Sequence, residues 1–172
     1  MTNDKNIAEK VRHLSSQARD TGTFFDHSEV GFNYKMSNVL AGIGIGQMKL
    51  IFERMKQRRQ VYDYYYQNLH DLPIHFVPET ENSQSNRWLT CITLDEEVSF
   101  SPEKIQSALE RENIESRPLW TPIHKQKMFK EAPYYGRGVA EKLNEIGLVL
   151  PSGSALKAHD LDRVIDTIRK RF

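Results

Sequence analysis

The sequence predicts an α/β fold: one long helix, then a small sheet of three to four strands with helices on one face. Three observations lead there. Apolar residues recur at helical spacing from Met36 to Leu69. Beyond residue 72, short strand-like runs alternate with helical ones in the order β, β, α, β, α, β, α. The length, 172 residues with 38% hydrophobic and 27% charged, suffices for one core of ordinary size.

Taken in order, "TNDKNIAEKVRHLSSQA" opens on Asn3 or Asp4 as N-cap and is apolar at Ile7, Val11 and Leu14, with Ala8 and Ala18 alongside. This predicts an amphipathic helix over 4–18. A helix that short needs a surface to pack on, so the chain reads as the inner part of a longer polypeptide. Residues 19–35 are irregular and polar, yet carry Phe24, Phe25, Phe32 and Tyr34. Four aromatics in a polar loop point to packing under a partner or a neighbouring domain.

The long helix spans about 37–70, with Ser37 as N-cap and an end before "DLP". Its "RMKQRRQ" is a solvated charged turn. Next, "IHFVP" and "RWLTCITL" are strands, the second setting Trp88, Thr90, Ile92 and Leu94 against Leu89, Cys91 and Thr93. "SPEKIQSALEREN" is a helix with Ser101 as N-cap and Pro102 in its first turn. "IESRPLW" is a short strand stopped by Pro118, which cannot donate to a ladder. "EKLNEIG" is a helix with Gly147 at its C-cap, and "LVLPSG" a strand and turn. The last helix presents Leu161, Val164, Ile165 and Ile168. The resulting division is 1–36, 37–70 and 71–172.

A net charge of +1 gives no reason to expect nucleic acid or an anionic membrane as partner. No apolar run is long enough to span a bilayer, and "MTNDKNIAEK" lacks the apolar centre of a signal peptide. The single cysteine, Cys91, rules out an internal disulfide and a cysteine metal cluster. The cytoplasm is the default compartment, and a buried inert thiol the default reading of a cysteine in mid-strand.

The stretch "GFNYKMSNVLAGIGIGQ" carries Gly42, Gly44 and Gly46. A dinucleotide fingerprint needs a strand before its glycines and a helix after them. Here the helix starts before the glycines, and Gln47 stands where the third fingerprint glycine would fall. No phosphate-loop lysine follows Gly46. Each helical glycine costs roughly 1 kcal/mol against alanine, so three in five residues imply close approach of something to that face.

The six histidines have no metal-ligand spacing, so no metal is expected. Arg117 and His124 flank "PLWTPI", a rigid loop with two prolines after a strand. Two readings stay open: both side chains present themselves to an anion, or Arg117 sits in a structural ion pair and His124 on the surface. Asn86, Arg87 and Trp88 lie at a strand entrance, where Arg and Trp either hold a phosphate and a ring or cap the sheet.

"GFNYKMSNVLAGIGIGQM" followed by "ERMKQRRQVYDYYYQNL" resembles the helix-opening signature of the DegT/DnrJ/EryC1/StrS sugar aminotransferases. The resemblance continues through "SNRWLTCITLD", "IESRPLWTPIHKQKMF" and "GLVLPSGSALKAHDLDRVIDTIRK", four blocks that span essentially the whole chain. It implies the aspartate-aminotransferase architecture (fold type I), with residues 71–172 as its C-terminal domain and 1–36 as the end of the large domain. It also implies a pyridoxal phosphate cofactor, a homodimer with active sites at the interface, and a glutamate donor. "RPLWTPIH" and "NRWL" resemble the branch acting on nucleotide-linked 4-keto-6-deoxy-N-acetylhexosamines, as in bacillosamine-type and exopolysaccharide pathways.

By the same resemblance the Schiff-base lysine lies upstream of this chain, and Lys5, Lys10 and Lys35 are no substitutes for it. The chain by itself is then expected to be inactive. Asn33 matches the asparagine that reaches the cofactor phosphate of the partner subunit, a carboxamide just ahead of a helix N-terminus, where anions are favoured. Lys35 stands where many relatives have arginine, which keeps the charge and loses the bidentate fork, and Asn38 where many have aspartate. Arg117 and His124 would border the nucleotide-sugar pocket, with Arg87 and Trp88 as further candidates. Two alternatives remain: a non-catalytic binding or dimerisation module, and part of a same-fold sugar dehydratase in which histidine replaces the lysine.

Overall fold

A computed structural model describes residues 1–22 and 25–172; Phe24 of the aromatic loop lies outside the described residues. The chain divides into two compact units, Met1–Leu50 and Ile51–Phe172.

In the first unit, α1 spans Lys5–Leu14 and is capped by Asp4, whose carboxylate accepts from the backbone N–H of Asn6 and Ile7. It stops four residues short of the expected end because the backbone turns left-handed at Gln17 and Ala18, with φ of 66° and 50°. The chain then folds back on itself. Phe32 donates to the Leu14 carbonyl, Gln17 to that of Phe32, and Tyr34 to that of Ser15, at 2.7, 2.9 and 3.0 Å. This places Ser16 opposite Asn33 in an antiparallel bridge. Gly31 is required for it, since a Cβ there would fall on the backbone of Gln17 and Ala18. Helix α2, Asn38–Lys49, follows with Ser37 as its N-cap. Neither helix buries a residue.

The single long helix expected over 37–70 is two helices: α3 begins at Ile51 and runs to Leu69. At Leu50 (φ −106°, ψ 4°) the N–H turns to the Gln47 carbonyl, tightening the last turn of a helix already weakened by its glycines. The break also moves the domain boundary. Val61, Tyr65 and Leu69 bury α3 in the core of the second unit, so that unit begins at Ile51 and not at residue 71.

The second unit holds a four-stranded antiparallel sheet in the order β1-β2-β4-β3, made of Ile74–Phe76, Thr90–Leu94, Gly147–Leu150 and Arg117–Pro118. Its element order is the expected one, with α4 over Pro102–Arg111, α5 over Val139–Ile146 and α6 over Ala158–Arg169. The predicted alternation in β2 holds in part: Thr90, Ile92 and Leu94 are buried and Cys91 is only half-buried, but Thr93 on the Cys91 side is buried too, and Trp88, ahead of the strand, is exposed. Register sets Ile92 beside Phe76 and Leu148, on the face that meets Val61 and Tyr65 of α3, Ile105 and Leu109 of α4, and the four predicted residues of α6. Pro118 sits on the edge strand, where its missing N–H breaks no ladder.

Gly147 is the C-cap of α5, as expected, and has a second part as well. Its backbone is extended (φ −105°) and already belongs to β4. Glycine is needed because a Cβ would strike the Leu119 side chain and the Leu143 carbonyl. Among the described residues, no helix is long and apolar enough to cross a membrane and no cluster of acidic, histidine and cysteine side chains could hold a metal.

Candidate functional site

In the first unit, the backbone ladder fixes Asn33 four residues ahead of the N-cap of α2. Its carboxamide is exposed and makes no hydrogen bond among the described residues, and Lys35 is exposed without an ion pair. Unspent donors on a fixed backbone near a helix N-terminus are what an anion such as a cofactor phosphate requires. The loop is strapped to α1 from its other end: Lys10 holds the Glu29 carboxylate at 2.5 and 2.6 Å, and His13 approaches it at 3.3 Å. Phe32 and Tyr34 stack at 5.1 Å on the exposed side, and Phe25 lies under the Arg19 guanidinium. Gly42 and Gly46 share one side of α2 and Gly44 lies on the other, and among the described residues a Cβ at any of them would meet nothing within 4 Å.

In the second unit, two loops carry the other candidates. The loop 79–88 is held by Glu79. Its carboxylate takes a two-point contact from Arg59 (2.8 and 2.9 Å) and the N–H of Ser85 (2.6 Å), and these pull its pKa down to about 2. Arg87 is drawn into the same clamp. Its guanidinium lies 3.7 Å over the Tyr62 ring, donates to the Val77 carbonyl, reaches Glu79 at 3.6 Å, and is only 10% exposed. The structure thus engages Arg87 with the protein itself. Trp88, next in sequence, points outward, with its carbonyl accepting from Arg58.

The clamp carries a pH prediction. A carboxyl whose folded pKa is depressed contributes stability that is complete above its ordinary 4.5 and lost as pH falls through about 2. Thermal melts of the wild type should fall steadily over that window. Glu79→Gln should flatten this part of the profile, with its largest deficit at neutral pH.

Arg117, on β3, is 75% exposed and pairs with Glu115, so the ion-pair reading of this residue describes its contact within the chain. His124 is mostly covered. Its Nε2 lies 2.8 Å from Glu141, its ring stacks on Tyr134 at 3.8 Å, and Tyr134 donates to the other Glu141 oxygen. Glu141 sits below its ordinary pKa, first through its own backbone N–H in the opening turn of α5 and then through His124. These partners of His124 carried no sequence signal. Trp120 was visible only as part of a proline-bracketed loop; the structure sets it 6.0 Å from Trp88, tilted by 33°, with both rings exposed. Cys91 lines none of this, and burial raises its thiol pKa, away from the reactive thiolate.

Comparison with known proteins gives these loops a context. The sequence profile of the DegT/DnrJ/EryC1/StrS aminotransferase family matches residues 1–169. The chain belongs to that family. EpsN of Bacillus subtilis (strain 168), whose name describes a pyridoxal phosphate-dependent aminotransferase, is 42% identical over 100% of this chain and 45% of its own. The GDP-perosamine synthase of Caulobacter vibrioides is 32% identical, over 95% of this chain and 45% of its own. The crystal structure of the aminotransferase TlmJ from Streptoalloteichus hindustanus superposes with a TM-score of 0.81 at 22% identity, covering 98% of this chain and 45% of that one. The chain therefore spans about half the length of the family members it matches, and its small sheet unit has the architecture of the fold type I C-terminal domain.

Proposed function

We propose that this chain is the carboxy-terminal half of a homodimeric, pyridoxal phosphate-dependent aminotransferase. It would move an amine from glutamate to the 4-keto group of a nucleotide-linked 4-keto-6-deoxy-N-acetylhexosamine, in polysaccharide or glycan biosynthesis. The observation that carries this reading is the family match over residues 1–169, reinforced by relatives that include a GDP-perosamine synthase. When bound, pyridoxal phosphate carries the amine between donor and acceptor.

This chain's own residues bind and orient. Asn33 donates its free carboxamide N–H to the cofactor phosphate of the partner subunit, and Lys35 adds positive charge there. Phe25, Phe32 and Tyr34 are covered by the partner, and the side of α2 with Gly42 and Gly46 receives the rest of the enzyme. Arg117 and Trp88 face the nucleotide sugar. His124, held by Glu141, and Arg87, held by Glu79, keep the two loops in place beside it. The Schiff-base lysine belongs to the other half.

The test is reassembly. The chain is co-expressed with the part of EpsN that it does not match, and amine transfer from glutamate is measured with 4-keto-6-deoxy and 3-keto-6-deoxy nucleotide sugars. Transfer to the 4-keto substrate is expected, and Asn33→Ala should weaken cofactor binding roughly ten-fold, as loss of a hydrogen bond to a charged group does. The chain by itself should stay colourless with pyridoxal phosphate. Activity confined to the 3-keto sugar, or cofactor affinity indifferent to Asn33→Ala, would overturn the corresponding part of the proposal.

A further inference from the structure

Four cations of the sheet unit converge on one groove. Lys104 and Arg111 come from α4, and Lys170 and Arg171 follow the last turn of α6. The two helices lie side by side and run in opposite directions. Arg163, in the first half of α6, donates to the Glu112 carbonyl beyond the end of α4, whereas Phe172, past the end of α6, packs at 5.2 Å on Phe100 ahead of α4. The groove between them encloses about 510 Å³, and Phe100 and Ser107 line it as well. A concavity of that size suits a small ligand, not the broad area that a protein partner covers.

All four cations are exposed, and among the described residues none of them makes an ion pair. Arg169, one residue earlier, differs: Asp71 and the Asn68 carbonyl take its guanidinium. The single acid in the groove, Glu103, pairs with none of the four. The Ser101 hydroxyl serves it and holds its carboxyl below the usual carboxylate range.

Cations at the end of a helix are ordinary, because they face its negative pole, and this accounts for Arg111, Lys170 and Arg171. It does not account for Lys104. That residue lies in the first turn of α4, at the positive pole, where a cation without an acidic partner is unfavourable. An anion seated among the four explains it. Lys104 and Arg111 are about 10 Å apart along the helix axis, so an anion that serves both is elongated. Four cations against one acid leave a surplus of three, roughly the charge that two linked phosphates carry at neutral pH.

We propose that the groove between α4 and α6 binds a chain of two or more linked phosphates, either free or at the head of a lipid. Arg111 and Arg171 take phosphate oxygens through their planar forks, and Lys104 and Lys170 supply point charges. The site stands apart from the transfer reaction, since none of the residues assigned to that reaction lines this groove.

Calorimetric titration of the full chain with inorganic tripolyphosphate should show saturable binding, at least ten-fold tighter than that of orthophosphate. Lys104→Gln and Arg111→Gln, both at exposed positions, should each weaken it about ten-fold, as loss of a hydrogen bond to a charged group does. Lys125→Gln removes the same charge from the exposed loop after β3 and should leave the affinity unchanged. Without ligand, Lys104→Gln should melt no lower than the wild type, because the lysine serves no partner in the fold. Sedimentation with neutral vesicles that carry a prenyl diphosphate separates the two sources. Retention that Lys104→Gln abolishes assigns the phosphates to a lipid, and tripolyphosphate binding without retention assigns them to a free ligand. Absence of saturable binding, or orthophosphate binding as tightly, would overturn the site. So would a loss in Lys125→Gln equal to that in Lys104→Gln, which would mean diffuse attraction. Polyglutamate binding as tightly as tripolyphosphate would replace it by a surface for acidic peptides, and a lowered melting point of ligand-free Lys104→Gln would make the lysine structural.

Discussion

Replacing Ile92 by alanine is expected to destabilise the sheet unit by about 2–5 kcal/mol. Ile92 is fully buried at the middle of β2, the strand that pairs with both β1 and β4. Its neighbours in register are Phe76 and Leu148, and the core it enters includes α3, α4 and α6. With helices on one side and the ladder on the other, little can collapse into the space left by the lost methyl groups. A unit of this size is worth roughly 5–15 kcal/mol in total, so the loss is a large fraction of it. Urea denaturation should show a lowered midpoint at unchanged slope, the signature of weakened stability and not of an altered native state. Cys91→Ala is the control from the adjacent position. Its side chain is half-buried and points to the other face, so its effect should be much smaller. Equal midpoints for the two variants would mean that the core does not lie where the register puts it.

That core was legible because it rests on periodicity. The alternation of Thr90, Ile92 and Leu94 and the spacing of Leu161, Val164, Ile165 and Ile168 each announce one buried face, and each is buried, while Trp88, which the same alternation groups with the first set, is exposed. The division at Leu50 was not legible. Apolar residues continue at helical spacing straight through it, and periodicity says nothing of which part of a helix meets a core. Only packing separates α2, none of whose residues is buried, from α3, which anchors the sheet unit. Gly147 makes the same point: residue order marks it as the end of a helix, and only the fold adds the Leu119 side chain, 28 residues earlier in the chain, as a reason for glycine there.

The site divides along similar lines. Asn33, Arg117 and His124 stand in motifs and can be singled out from residue order. What holds them comes from elsewhere: Glu141 and Tyr134 reach His124 from positions 17 and 10 residues on, and Glu79 reaches Arg87 across a loop with Arg59 on its far side. Arg87 shows the limit of motif reading. An arginine before a strand invites an anion, but in this fold an aromatic ring and a carboxylate of the chain itself have taken its guanidinium. Trp88 and Trp120 are 32 residues apart and become a pair only through the sheet order that brings β2 and β3 to the two sides of β4.

Gly31→Ala is expected to have the largest effect in the first unit, although the residue touches no ligand. An alanine Cβ would fall on the Gln17 carbonyl carbon and the Ala18 nitrogen, which are backbone atoms and cannot rotate away. The two segments must therefore separate, at a cost of about 1–3 kcal/mol, as overpacking does elsewhere. Separation lengthens the bonds that join Gln17 to Phe32 and Tyr34 to Ser15, and with them goes the bridge that sets Asn33 opposite Ser16. Hydrogen exchange at the amides of Gln17, Phe32 and Tyr34 should accelerate, while the sheet unit, which lies outside this pairing, keeps its protection. In the reassembled enzyme the same substitution should weaken cofactor binding at least as much as Asn33→Ala, because it displaces the carboxamide together with the backbone that aims it. Combining the two should add little, since a misplaced side chain has nothing further to lose. Full additivity, or unchanged exchange at the three amides, would show that the ladder does not position Asn33.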